Sequence, residues 1–184
     1  MTKLNKADFM FRDKESETLW KRPGDINGMD FMVRNLENCI VHIFDHTAQI
    51  IVDDCKNTHF FIGPVKGSIF FRDCSNCTIS VACGQFRCRD LYESTIHLYV
   101  ASDPIIESSN NLTFAPYNLA YPLLGEHVKS AGFDPNQNKW SQIFDFTGKD
   151  ASGAALQNYK HLNVGRLVNY INTIFRSAPV VAAS

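Results

Sequence analysis

Chemistry in this chain is most concentrated in Gly84-Gln85-Phe86-Arg87-Cys88-Arg89-Asp90, where two arginines and a glutamine alternate with apolar residues. That alternation is the period of a strand, so Gln85, Arg87 and Arg89 share one face and Phe86 and Cys88 the other. Guanidinium groups on an open face suit forked recognition of phosphate or carboxylate. Solvated arginines on an exposed strand are the plain alternative. Cys74-x-x-Cys77 is half of a zinc signature, with Cys55, Cys83, Cys88 and His59 as further donors to weigh. The six histidines are scattered, and none has a serine or cysteine partner fixed by spacing, which counts against a hydrolytic triad. No Gly-x4-Gly-Lys-Ser/Thr occurs, so any nucleotide must be brought by a partner.

The elements that position these residues follow from a repeat. Written in rows of 19 from Leu36 to Ala101, the chain aligns four times without a gap. One column reads Val41, Phe60, Ile79, Leu98; another, two places on, reads Ile43, Ile62, Val81, Val100; Asn38, Asn57, Asn76 and Thr95 fill a third. Paired apolar columns two apart mark a strand, and its return once per row marks the coil of a parallel solenoid. Stacked coils bury a core that no single repeat could bury. A second strand per coil carries Ile50, Ile69 and Cys88 in one inward column and Val52 and Phe71 in another. Asp54-Cys55-Lys56-Asn57 and Asp73-Cys74-Ser75-Asn76 predict the corners, because short polar side chains bond their own backbone there. Cys55 and Cys74 share a column, as do Cys39 and Cys77, so the repeat explains them as small core residues and no metal is expected. The columns show no sub-period of six, which counts against a left-handed hexapeptide helix. The fold expected is all-β, a right-handed parallel β-helix.

Counting by 19 sets Gln85, Arg87 and Arg89 beside Lys66, Ser68 and Phe70, and those beside Thr47, Gln49 and Ile51. Arginine next to exposed Phe70 and Ile51 resembles an interface hot spot more than a small-molecule cleft. The same count places Glu107 in the inward column of Ile50, Ile69 and Cys88, where a carboxylate is costly unless paired. Either Glu107 buttresses Arg87 or Arg89, or a register slip leaves it exposed at the coil edge. Residues 1–22 read as a charged lead-in, 23–147 as the β-helix domain, and 148–184 as a C-terminal tail. In that tail Leu167, Val168, Ile171, Ile174 and Phe175 fall at helical spacing, predicting a helix within Leu156 to Phe175.

At 184 residues, with 45% hydrophobic and 20% charged content, the chain has one domain's worth of core and is not extensively disordered. A net charge of -1 counts against bulk affinity for nucleic acid or anionic membrane. No apolar run approaches the ~20 residues of a membrane helix. The first residues lack a signal core, and Thr2 stands where myristoylation requires glycine. A soluble cytoplasmic monomer with reduced thiols and no membrane anchor is expected.

The stretches Ile43-Phe44-Asp45-His46-Thr47-Ala48, Gly63-Pro64-Val65-Lys66-Gly67-Ser68, Phe70-Phe71-Arg72-Asp73-Cys74, Gln85-Phe86-Arg87-Cys88-Arg89-Asp90 and Pro104-Ile105-Ile106-Glu107-Ser108-Ser109 occur in that order. Together they resemble the tubulin-folding cofactor C domain family, and in particular its X-linked retinitis pigmentosa branch. The likeness runs from about Pro23 to Thr147 and takes in Trp140 and Asp145-Phe146-Thr147. It implies a right-handed parallel β-helix that activates a GTPase. In the retinitis pigmentosa branch the target is an Arf-like small GTPase controlling release of lipidated cargo at cilia; in cofactor C it is tubulin. The resemblance further implies an arginine finger at Arg87 within a Gln-Phe/Leu-Arg motif, with Gln85 at the interface. No cofactor of the chain's own is implied, since GTP and Mg2+ belong to the partner. The implied place of action is the base of the cilium or the cytoskeleton. Arg89, Glu107, Phe70, Lys66 and Ile51 complete the predicted face. The branch's lipidation start and kinase-like C-terminal domain, and cofactor C's helical tubulin-binding region, have no counterpart in the sequence. A non-catalytic module that binds a GTPase or tubulin is the second reading. A small-molecule enzyme such as an acyltransferase is the third, and the missing sub-period of six counts against it.

Overall fold

The structure, a computed structural model, describes residues 5–162. A 3-10 turn at Lys6–Phe9 leads into β1 (Met10–Glu15), β2 (Thr18–Lys21), β3 (Phe31–Glu37), β4 (Ile40–Ile43), β5 (Ile50–Lys56), β6 (His59–Ser75) and β7 (Thr78–Tyr92). Then follow β8 (Thr95–Val100), β9 (Ile105–Glu107), β10 (Leu112–Pro116), α1 (Leu124–Ala131), β11 (Phe144–Asp145) and β12 (Tyr159–His161). The pairings between these strands are parallel. One face stacks β1, β3, β5, the second half of β6, then of β7, then β9 and β11; the other stacks β2, β4, the first halves of β6 and β7, then β8, β10 and β12. This is the parallel β-helix that the repeat predicts. Within the expected lead-in, β1 and β2 form a further coil in register, Met10 beside Met32 and Thr18 beside Ile40.

Inward columns make the core. Val33, Val52, Phe71, Cys88 and Ile106 stack in one, and Val41, Phe60, Ile79, Ile96 and Phe114 in the other, all buried. Each such side chain contributes about 1.5–3 kcal/mol when fully buried, the smaller cysteine less. All six cysteines lie inside, where the repeat places them. The corners are built as expected: Asp54, Asn57, Asp73 and Asn76 adopt left-handed φ, and Asn35, Asn38, Asp90, Glu93, Ser108 and Asn111 repeat the device. Asn76 Nδ2 donates to Asn57 Oδ1 at 2.6 Å, tying one corner to the next.

The period is not constant. Ile50 stacks on Ile69, 19 residues on, but Ile69 stacks on Phe86, 17 residues on. Cys88 therefore joins the column of Phe71 and not, as counting by 19 has it, that of Ile69. Register shifts between Ile62 and Pro64 and between Val65 and Ser68 absorb the difference. Because the loss is even, inward and outward sides are preserved. Gly84 makes the shortened corner possible, since a Cβ there would stand 2.6 Å from the Lys66 carbonyl oxygen and 2.8 Å from that of Gly67.

Helix α1 has no counterpart in the sequence reading. It lies over β6, and Leu124 and Val128 pack with Tyr99, Tyr117, Phe44 and Phe61 in a second core outside the solenoid. Gly132, at φ 73°, ends it by donating to the Lys129 and Val128 carbonyls. The helix expected within Leu156 to Phe175 is not present at its start, since Tyr159–His161 is strand; residues from 163 on lie outside those described. Among the described residues no helix is long and apolar enough to cross a membrane.

Candidate functional site

Arg87 stands outward on β7, with Phe70 on one side in the ladder and Ile105 on the other. The row continues in both directions as Met32, Ile51, Phe70, Arg87, Ile105, Phe144. Counting by 19 put Ser68 and Gln49 beside Arg87; the short coil moves Arg87 to the row of Phe70 and Ile51 and leaves Ser68 beside Gln85. Met32 and Phe144 are 37% and 54% exposed, so the row is an apolar stripe with one cation in its middle. An open groove of about 660 Å³, lined by Phe9, Met29, Met32 and Ile51 among others, adjoins its N-terminal end.

Three arginines meet here, and their partners differ. Arg72 donates from Nε and Nη2 to the two carboxylate oxygens of Asp53, each at 2.7 Å, which pushes its pKa still higher. Arg89 Nε lies 3.6 Å from Asp90 Oδ2. Among the described residues no carboxylate comes within 4.0 Å of Arg87. Its guanidinium carbon instead sits 5.7 Å from the centre of the Phe70 ring, and that of Arg72 sits 5.4 Å from the same centre. A ring face attracts a cation by about 0.5–1 kcal/mol at an exposed site, so Phe70 biases Arg87 without neutralising it.

The remaining expected residues fall into place unevenly. Gln85 and Arg89 are exposed and flank Arg87, and Ile51 is half-buried in its row. Lys66 is exposed at the register shift, its carbonyl against Gly84. Glu107 is corrected: it is exposed beside Arg89 in the ladder, and Ile106 takes the inward place against Cys88. From Cys88 to Ile106 the coil has 18 residues, so counting by 19 overshoots by one and turns the side chain to the wrong face. The inward buttress of an arginine is not formed. Met32, Ile105 and Phe144 were missed, because they join the stripe only once the true register is known.

A second cluster lies where the β4–β5 corner meets α1. Asp45, 1% exposed, accepts at Oδ2 from the backbone N–H of Gly24 (3.1 Å), Ile26 (2.8 Å) and Asn27 (2.8 Å), and at Oδ1 from that of His46 (2.9 Å). Burial alone would raise its pKa, but the four N–H groups outweigh burial and hold it below the usual carboxylate range. From α1, His127 brings Nε2 to 3.8 Å from Asp45 Oδ1, while its Nδ1 lies 2.8 Å from the Tyr121 hydroxyl. Spacing could not reveal this cluster, since only the tertiary fold joins residues so far apart.

Residues 28–146 match the family model described as Tubulin binding cofactor C. Protein XRP2 of Homo sapiens is 44% identical over 145 residues, 79% of this chain and 41% of that protein; XRP2 of Danio rerio is also 44% identical over 145 residues. Tubulin-specific chaperone C of Homo sapiens is 32% identical over 136 residues, 74% of this chain and 39% of that protein. The chain thus spans about two fifths of the length of these relatives. The structure titled Tubulin Binding Cofactor C from Leishmania major superposes with a TM-score of 0.54 at 23% identity, over 64% of this chain and 80% of that one, and bears on the fold alone. The matched segment takes in the repeat, the Arg87 stripe, the Asp45 corner and α1, and on that match the chain belongs to the tubulin binding cofactor C family.

Proposed function

We propose that this domain is a GTPase activator that supplies Arg87 in trans to a GTP-bound Arf-like small GTPase. The observation that carries the reading is one exposed guanidinium, without a carboxylate partner among the described residues, centred in an outward apolar stripe. GTP hydrolysis needs positive charge where the bridging and γ-phosphate oxygens gain charge in the transition state. A planar guanidinium pushed in by a partner supplies that charge, and the surrounding Phe70 and Ile105 exclude water as the surfaces close. The partner carries GTP and Mg2+; the chain contributes shape and the finger. A strand held on both sides in a solenoid presents the side chain with little backbone entropy left to lose. Such a finger accelerates hydrolysis by about 10³ to 10⁵, or roughly 4–7 kcal/mol. The reading assigns the domain to handling of lipidated cargo at the cilium.

Tubulin is the second candidate partner, favoured by the similarity to tubulin-specific chaperone C. Single-turnover GTP hydrolysis by a purified Arf-like GTPase, with wild-type domain and with Arg87→Ala, tests the proposal. Loss of acceleration in the variant is expected, and equal rates with both would sink it. Acceleration with tubulin alone selects the second partner. Binding that weakens in Arg87→Ala, with no wild-type acceleration, reduces the domain to an interaction module.

A further inference from the structure

We propose that Asp45, His46 and His127 form a binding site for a divalent first-row metal ion of the zinc type. The inference is independent of Arg87. Asp45 Oδ1, His46 Nδ1 and His127 Nε2 lie within 4.8 Å of one another, with Oδ1 at 3.3 Å from the first nitrogen and 3.8 Å from the second. In a tetrahedral zinc site, bonds of about 2.0–2.2 Å put the donors roughly 3.4 Å apart. The three atoms need only small shifts to reach that spacing. Their chemistry fits too, because two imidazoles and one carboxylate suit zinc, cobalt, nickel or copper better than calcium or magnesium.

Each donor is already prepared for an ion. The four backbone N–H groups fix the Asp45 carboxylate in place. His46 Nδ1 is buried without a hydrogen-bond partner, although it faces a carboxylate oxygen at 3.3 Å. A nitrogen so placed is an orphan in a purely hydrogen-bonded cluster and a ligand in a metal site. His127 shows the complementary feature: its Nδ1 meets the Tyr121 hydroxyl at 2.8 Å, which sets the ring and leaves Nε2 to the ion. Metal-binding histidines are oriented in this way by a second contact on the other ring nitrogen. Three protein donors leave the fourth tetrahedral position open on the side of His46, whose side chain is 32% exposed and gives an entry path. The ion would join the β4–β5 corner to α1, and through Asp45 to the segment Gly24–Asn27.

The test uses the full chain, stripped of metal by dialysis against chelator, and titrated with Zn2+ by calorimetry and with Co2+ by visible absorption. One ion per chain is expected, with cobalt bands that lack the near-ultraviolet charge transfer of sulfur ligands. His46→Ala and His127→Gln should each weaken binding at least tenfold, and Tyr121→Phe by about 10- to 100-fold. Zn2+ should raise the Tm of the wild type and not that of His46→Ala. Should His127→Gln fail to fold, His46→Ala decides alone, since His46 is part-exposed at a corner and circular dichroism can verify its fold. Absence of Zn2+ and Co2+ binding overturns the proposal. So does unchanged affinity in His46→Ala, or a sulfur charge-transfer band that assigns the ion to cysteines.

Discussion

Arg72 and Arg87 lie against the same phenylalanine ring and have opposite fates, because Asp53 claims the one and leaves the other free. Arg72→Ala should therefore cost about 1 kcal/mol of stability, as part-exposed ion pairs do, and leave hydrolysis by the partner GTPase unchanged. Arg87→Lys should lose most of the activation despite keeping its charge, since an ammonium cannot make the forked contacts of a guanidinium. Phe70→Ala removes the ring beside the finger. A two- to fivefold drop in activation, roughly 0.5–1 kcal/mol, is expected with Tm nearly unchanged, because the ring is only half-buried. Denaturation midpoints and single-turnover rates on the same samples separate these outcomes; an Arg72→Ala protein that folds but fails to activate would contradict the assignment.

At the scale of elements, the strands were legible because alternation of apolar residues is a local property that recurs in Val41, Phe60 and Ile79 whatever the coil lengths. The register was not. The coil from Ile69 to Phe86 is two residues short, and an even loss hides itself by keeping every inward residue inward. The next coil is one short of 19, and there the count failed visibly at Glu107. Helix α1 escaped because Leu123, at φ 73°, opens it with no side-chain cap, and its apolar residues serve a core made by the outer face of the sheet. The Asp45 cluster escaped because nothing local links a corner to a helix. Gly84→Ala tests the short coil: its Cβ would meet two carbonyl oxygens under 3 Å away. About 1–3 kcal/mol of destabilisation is expected from urea unfolding, together with lost activation as Arg87 shifts against Phe70. A variant as stable and active as wild type would mean that the corner relaxes freely.

For the molecule as a whole, pH acts through half-buried histidines on the solenoid's outer face. Burial lowers the pKa of His97 and of His42 below 6.5, only partly opposed by backbone bonds to Pro116 and Leu19. Below pH 6.5 the unfolded chain thus binds more protons than the folded one, and stability falls as pH falls. Tm should drop between pH 7 and pH 5.5, and His97→Gln should flatten part of that slope. A Tm that rises on acidification would refute this sign.

The six buried cysteines give the solenoid one more property. Burial pushes the Cys77 and Cys88 thiols up to about 12, so at neutral pH they are neutral and shielded from alkylating reagents. Because the cysteines are distributed along the stack from Cys39 to Cys88, each acts as a clock for the opening of its own coil. Coils near an end have less support than those in the middle, so Cys39 should be alkylated before Cys74 and Cys77 under native conditions. Mass spectrometry of a labelling time course would read the order in which the stack unwinds, and one shared rate for all six would mean that it opens in a single step.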